Sequence, residues 1–161
     1  MPQLDKKAAW QVAELQVSYR RHEPPLIIRD SEDAASCLHS CWDPDLLDIQ
    51  EQIAALYLGV KGEVIGYRLI SSGKLSTANL DTALLLSCGL LVRADSFILA
   101  HNHPSGDPSP SRTDIRTTLQ LCKAAELVGL ELYDHIILAR DLRWHSMVDE
   151  GNFVPRRLMR R

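Results

Sequence analysis

The 161-residue sequence has no apolar run long enough to cross a bilayer, since its best stretch, Leu80 to Val92, is broken by Asp81, Thr82, Ser87 and Gly89. Positive charge is not in excess. Twenty-one acidic residues against 18 Lys and Arg leave a net charge of −3, so no global field draws in a phosphate backbone. DNA is therefore not the default partner, and the exception is a basic tail, Arg156, Arg157, Arg160 and Arg161, whose simplest reading is a solvated terminus. The start of the chain, with Asp5, Lys6 and Lys7 ahead of Ala8 and Trp10, lacks the uninterrupted apolar core of a secretory signal. A cytoplasmic location with no membrane partner is expected. There the four cysteines, Cys37, Cys41, Cys88 and Cys122, stay reduced, and none has zinc-knuckle spacing. Cys37-Leu-His39-Ser-Cys41 resembles a ligand cluster, but helical spacing puts Cys37 and Cys41 on one face, where such residues pack as small hydrophobes.

What is present suits one domain: 45% apolar content in a chain of this length buries one core. Residues 1–9 read as a loose lead. Ala13, Leu15, Val17 and Tyr19 alternate with polar residues as in a half-buried strand, which His22-Glu-Pro-Pro25 ends. Ser31 opens a helix with Ala34, Ala35, Leu38 and Trp42 on its inner face, closed by Pro44. Two apolar runs, Gln52–Val60 and Glu63–Ser71, form a hairpin around Lys61-Gly62, with Gly73 ending the second. Leu80–Arg93 is expected to be a helix buried over much of its surface, and Ser96–Ala100 a short core strand. After a loop with Gly106, Pro108 and Pro110, a helix from Ser111 to Val128 packs through Ile115, Leu119, Leu121, Cys122 and Leu127 and stops at Gly129. Leu132–Ala139 supplies another strand. The mixture predicts an α/β fold, a mixed sheet flanked by helices in a single domain.

The most informative residues are His101 and His103 at the end of the core strand and Asp114 eleven residues after His103. Side chains two apart on a strand point the same way with Cα atoms under about 7 Å apart, so both imidazoles can reach one ion. Asp114, in the first turn of the next helix, supplies a carboxylate oxygen. Two nitrogens and one oxygen, with a fourth position left for water, make the catalytic rather than the closed zinc arrangement. Each part has a simpler explanation. Ser111-Arg-Thr-Asp114 is also a helix capping signature, and a His-x-His pair also suits buried histidines bonded to carbonyls. Asp107, near the loop tip, reads as solvated or capping a turn. The joint pattern favours a metal.

His101-Asn-His-Pro-Ser-Gly106, Pro108, Pro110-Ser111 and Asp114 resemble the motif of the JAB/MPN (JAMM) metalloproteases, His-x-His, seven residues, then Ser-x-x-Asp. The Asn between the histidines and the Pro-Ser-Gly after them look like the RadC branch, as do Trp42-Asp-Pro-Asp45, Ile70-Ser-Ser-Gly73, Ile98-Leu-Ala100 and Asp134-His-Ile-Ile137. The resemblance covers residues 10–152, leaving 153–161 as the tail. It implies a JAB/MPN-like, cytidine-deaminase-like architecture, in a short stand-alone form without the helix-hairpin-helix module that RadC proteins often carry. It further implies one Zn2+ per chain on His101, His103 and Asp114, Ser111 assisting the tetrahedral intermediate, and an upstream Glu as general acid/base. Glu51 and Glu63 compete for that role. Glu51 immediately precedes the first hairpin strand, where the family's Glu stands, and is favoured. His135 is a candidate partner for a metal ligand, or a satisfied core histidine.

The activity so implied is a zinc-dependent peptidase or isopeptidase-like hydrolase acting on a peptide or isopeptide substrate. The other reading is a non-catalytic JAB-type scaffold, or an accessory of DNA repair or of a mobile element. A zinc deaminase would need a Pro-Cys-x-x-Cys segment, which the sequence lacks. No deubiquitinase role follows, because the segments around the motif are short.

Overall fold

Alternation along the central strands splits the core into two layers. The computed structural model describes residues 25–72 and 80–155. It contains helix α1 (Ser31–Cys41), strands β1 (Gln52–Leu58) and β2 (Val64–Ser72), helix α2 (Thr82–Leu91), strand β3 (Ser96–Asn102), helix α3 (Arg112–Leu127), and strands β4 (Glu131–Leu138) and β5 (Trp144–Ser146). The sheet order is β2-β1-β3-β4-β5. β3 and β4 are parallel, as a strand–helix–strand crossover through α3 requires, and the other pairs are antiparallel. This is the mixed sheet with flanking helices expected of a single α/β domain. No helix among the described residues is long and apolar enough to cross a membrane.

β1 and β3 are buried on both faces. Ala54, Leu56, Leu58, Ile98 and Ala100 pack towards α1 with Leu38 and Trp42. Ile53, Ala55, Tyr57, Phe97 and Leu99 pack on the other side with Leu85 of α2 and Leu121 and Ala125 of α3. Period two thus assigns each residue of the central strands to a helix layer.

Local signals set the boundaries. The α1 cap is Asp30, one residue before the expected start, whose carboxylate accepts the Asp33 backbone N–H at 2.8 Å. Asp81 caps α2 and Ser111 caps α3 in the same way. Gly129 follows α3 at φ +79°, a left-handed position that stops a helix. In the hairpin turn, the Gly62 carbonyl accepts the Ile28 N–H at 2.9 Å.

Several expectations are corrected. Leu119 and Leu127 do not pack: they are 46% and 89% exposed, because the inner stripe of α3 runs through Ile115, Thr118, Leu121, Cys122 and Ala125. Leu127 lies six residues beyond Leu121 and so faces outward. α2 is shorter and less covered than expected, with only Leu85 and Gly89 buried and Leu90 and Leu91 about half exposed. β5 is unforeseen, a three-residue edge reached through Asp141 and Leu142, both at positive φ. The expected strand at residues 13–19, the lead, Gly73 and the basic tail from Arg156 lie outside the described residues.

Gly62 sits at φ +80°, and a Cβ there would lie 2.5 Å from the Ile28 carbonyl oxygen. Gly62→Ala combines left-handed strain with a backbone clash and is expected to cost about 2 kcal/mol or more. The readout is the urea midpoint, and an unchanged value contradicts this account of the turn.

Candidate metal centre

β3 ends at Asn102, so His101 is the last residue of the strand on the α3 side, and His103 lies one step beyond, tied back by its N–H to the Leu138 carbonyl at 2.9 Å. The loop then reverses through a turn closed by the Gly106 N–H on the His103 carbonyl. Gly106 is at φ +82° with Arg140 packed where a Cβ would be. This return brings the start of α3 against the strand end.

There the side chains converge. The Nε2 atoms of His101 and His103 are 2.9 Å apart, His101 Nε2 lies 3.6 Å from Asp114 Oδ1, and His103 Nε2 lies 3.7 Å from Asp114 Oδ2. Ligand atoms sharing a tetrahedral zinc at about 2.0–2.1 Å are about 3.3 Å apart, so these separations bracket the fit. Among the described residues this is the one group of three or more His, Cys, Asp or Glu side chains placed to hold a single ion. His103 Nδ1 lies 2.7 Å from the Asp107 carbonyl oxygen. A carbonyl only accepts, so Nδ1 donates, and in the neutral ring Nε2 keeps its lone pair facing the site.

The capping signature and the ligand signature are both present in Asp114. Ser111 Oγ accepts the Asp114 N–H at 3.1 Å, and Asp114 Oδ2 accepts the Ser111 N–H at 2.7 Å. Burial alone would raise the Asp114 carboxyl. Its hydrogen bond with His103, the nearby His101 and the Ser111 hydroxyl and N–H together hold it well below the usual carboxylate range. His103 is raised, first by Asp114, against burial, with help from the Asp107 carbonyl and the charge of Glu51. His101, fully enclosed, is pushed down to about 4 by burial, with Asp114 opposing and His103 adding to the shift.

A cavity of about 830 Å³ opens on this trio, bordered by Glu51, Ser111 and the apolar floor of Ile53, Leu99 and Leu121. Glu51 is at the right end of the sheet by register: Ile53 pairs with His101, and Glu51 is two residues earlier on the same alternation. Glu63 is beyond the far end of the seven-residue β1, about 20 Å away, where its carboxylate accepts the Lys61 N–H at 2.9 Å. His135 borders the cavity too, with Nε2 2.7 Å from His101 Nδ1. Asp107 lies in the loop, its carboxylate accepting the Ser109 N–H.

The family model for the RadC-like JAB domain matches residues 28–152. The chain belongs to this family. It is 38% identical over 149 residues to a UPF0758 protein of Bacillus licheniformis, covering 90% of this chain and 65% of that protein. It is 35% identical over 149 residues to the UPF0758 protein YsxA of Bacillus subtilis, covering 90% and 63%. A UPF0758 protein of Methanosarcina acetivorans is 39% identical over 102 residues, 63% of this chain and 44% of that protein. The chain thus spans less than two thirds of the length of these relatives.

The sequence did not reveal the roles of two residues of this RadC-like JAB domain. Asn102, between the histidines, points to the other face of the sheet. Its Oδ1 accepts the Gln52 N–H at 2.7 Å, and its Nδ2 donates to the carbonyls of Leu47 and Gln50 at 2.6 and 2.9 Å. It therefore clamps the segment that carries Glu51 to the strand that carries His101. The signal was available: an Asn at a strand position alternating with two histidines has an inward face of its own. Thr118 is the second. It reads as an ordinary helix residue, yet it is wholly buried and 2.6 Å from His135 Nδ1.

Asn102→Asp turns the amide donor into a carboxylate oxygen aimed at two part-buried carbonyls, each of which loses its hydrogen bond from Asn102. At about 1–3 kcal/mol apiece, a loss of about 2 kcal/mol or more is expected in chemical denaturation. A second prediction concerns pH. The folded pKa of buried His101 is depressed, and His135 shifts the same way through burial. The unfolded chain then binds more protons, so stability present above the unfolded value near 6.5 is lost as pH falls towards about 4. The urea midpoint of metal-free protein should decline across that window; a flat profile contradicts burial of two neutral imidazoles.

Proposed function

We propose that this domain is a zinc-dependent hydrolase of the JAMM type that cleaves an amide bond in a peptide or isopeptide substrate. The observation that supports it is the convergence of two imidazole nitrogens and one carboxylate on a cavity that Glu51 and Ser111 also border. Nitrogen and oxygen donors in a set of three are what catalytic zinc takes, and His101, His103 and Asp114 would hold one ion per chain. Zinc so held supplies Lewis-acid activation of water and of the amide carbonyl.

The remaining work falls to this chain's own residues. Glu51, in the cavity at the His101 end of the sheet, accepts the proton of the attacking water and passes it to the leaving nitrogen. The Ser111 hydroxyl, fixed by its capping bond with the Asp114 N–H, donates to the oxygen that gains charge as the carbonyl becomes tetrahedral. Ile53, Leu99 and Leu121 give the reacting groups an apolar floor that strengthens charge interactions. Function in the cytoplasm suits the chain, whose free thiols stay reduced there.

Elemental analysis of purified protein is expected to give one zinc per chain, lost in His103→Ala and in Asp114→Ala. Glu51→Gln should keep the metal and lose at least about 100-fold in cleavage of peptide and isopeptide libraries, and Ser111→Ala should lose about 100- to 1000-fold. Stoichiometric zinc without hydrolysis of any library member would overturn the enzyme reading in favour of a scaffold. If the Glu63→Gln variant were the inactive one, the base assignment would fail while the class survived.

A further inference from the structure

Three hydrogen bonds, two of them buried, join two of the candidate ligands by a path behind the site. Thr118 Oγ1 is 2.7 Å from the backbone carbonyl oxygen of Asp114, one helical turn earlier. It is also 2.6 Å from His135 Nδ1, and His135 Nε2 is 2.7 Å from His101 Nδ1. A hydroxyl has one proton, and a carbonyl oxygen can only accept. Two oxygens 2.7 Å apart without a proton between them repel, so Thr118 donates to Asp114. The more distant Met147 sulfur, at 3.4 Å, is the weaker acceptor for that proton. Thr118 Oγ1 must then accept, and His135 Nδ1 carries the hydrogen. His135 is buried, and its ring nitrogens meet the Thr118 hydroxyl and the His101 ring rather than a carboxylate, so the ring carries a single hydrogen, the one on Nδ1, and its Nε2 is a lone pair. His101 Nδ1 therefore donates to it, and His101 Nε2 is left unprotonated towards Asp114 and His103, so that in the metal-free protein the hydrogen in the 2.9 Å contact between the two Nε2 atoms belongs to His103.

We propose that Thr118 and His135 are positioning residues that fix the tautomer of His101, so that its Nε2 lone pair faces the ion site before any metal arrives. This deepens the reading of the site as a metal centre and rests on it. The direction of the whole chain is set by one backbone carbonyl, that of Asp114, itself a candidate ligand. The relay thus links the strand and the helix that must meet on one ion. Remove the Thr118 hydroxyl and His135 Nδ1 has no acceptor. The ring then gains by moving its hydrogen to Nε2, which forces His101 Nδ1 to accept and puts a hydrogen on His101 Nε2, where a metal needs the lone pair.

The test uses the whole chain, with long-range 1H–15N correlation of the imidazole nitrogens in metal-free protein. His135 and His101 are each expected to carry a hydrogen on Nδ1 alone; a hydrogen on His101 Nε2, or a doubly protonated His135, overturns the proposal. Zinc affinity, measured against a competing chelator, should fall about 10- to 100-fold in Thr118→Val, and stay within about threefold of the parent in Thr118→Ser. The nitrogen spectrum of Thr118→Val should show the reversed His101 tautomer. Unchanged affinity together with an unchanged spectrum in a folded Thr118→Val also overturns it, and if that variant fails to fold, the spectrum of the parent protein decides. Expected tautomers and affinities without any hydrolysis would support the relay while sinking the hydrolase reading, so the two fail separately.

Discussion

The pleat of β3 is the constraint on which the site depends. Successive residues of a strand face opposite ways, and this one is buried on both sides, so neither face tolerates a polar group without a partner. Phe97 and Leu99 put His101 among α2 and α3, where the loop after the strand and the start of α3 bring His103 and Asp114 to it. Ile98 and Ala100 put Asn102 on the α1 side, where it is consumed by three bonds to the first residue of β1 and the segment before it. One strand end therefore does two things at once. It presents an imidazole to the cavity and, through the next side chain, anchors the backbone that delivers Glu51 to the same cavity.

The neighbouring strand meets this demand through an irregularity. Leu132 of β4 packs on the α3 side, and unbroken alternation would send Asp134 and Ile136 to that side and His135 to the other. Instead the register shifts opposite Phe97 and Ile98, with Tyr133 as the extra residue, and Ile136 and Leu138 fall in the α1 layer. His135 consequently turns towards α3 and meets Thr118 and His101. The bulge is held by a buried carboxylate: Asp134 accepts the N–H groups of His135 and Val148 and the Ser146 hydroxyl, at 2.6, 3.1 and 2.6 Å. A one-residue slip re-aims every later side chain, so the position of His135 depends on this local arrangement.

Those two cases mark what was legible in the sequence. The hairpin, α3 with its Ser111 start and Gly129 stop, and the strand leading to the histidines were readable because each rests on local signals: period, cap residue, turn residue. The His-x-His…Asp pattern was readable because strand period and a first-turn carboxylate have fixed geometry. What was not readable depends on partners distant in the chain. Nothing near Tyr133 announces a bulge, since its cause is Asp134 meeting Ser146 and Val148. β5 has three residues and exists only because β4 offers an edge. Leu119 and Leu127 satisfied composition but missed the face that α3 presents to the sheet, and Thr118, on that face, was overlooked because a threonine is not expected there.

Asp114 shows why the bland and the sharp explanations of one motif need not compete. As the third residue of a helix, its carboxylate sits among the unpaired N–H groups of the first turn, where the dipole favours negative charge. The capping bond uses Oδ2 and locks the side chain towards the Ser111 N–H, and in that rotamer Oδ1 is carried to 3.6 Å from His101. A carboxylate held at a helix start is thus already ionised and oriented before a cation arrives, which removes two costs of assembling a ligand set. The same bonds hold Ser111 Oγ beside it. A motif that a helix requires for its own first turn therefore delivers an oxygen donor and a hydroxyl to the end of a strand that carries two imidazoles. The fold needs no separate device to bring them together, only the short return loop that sets α3 against β3.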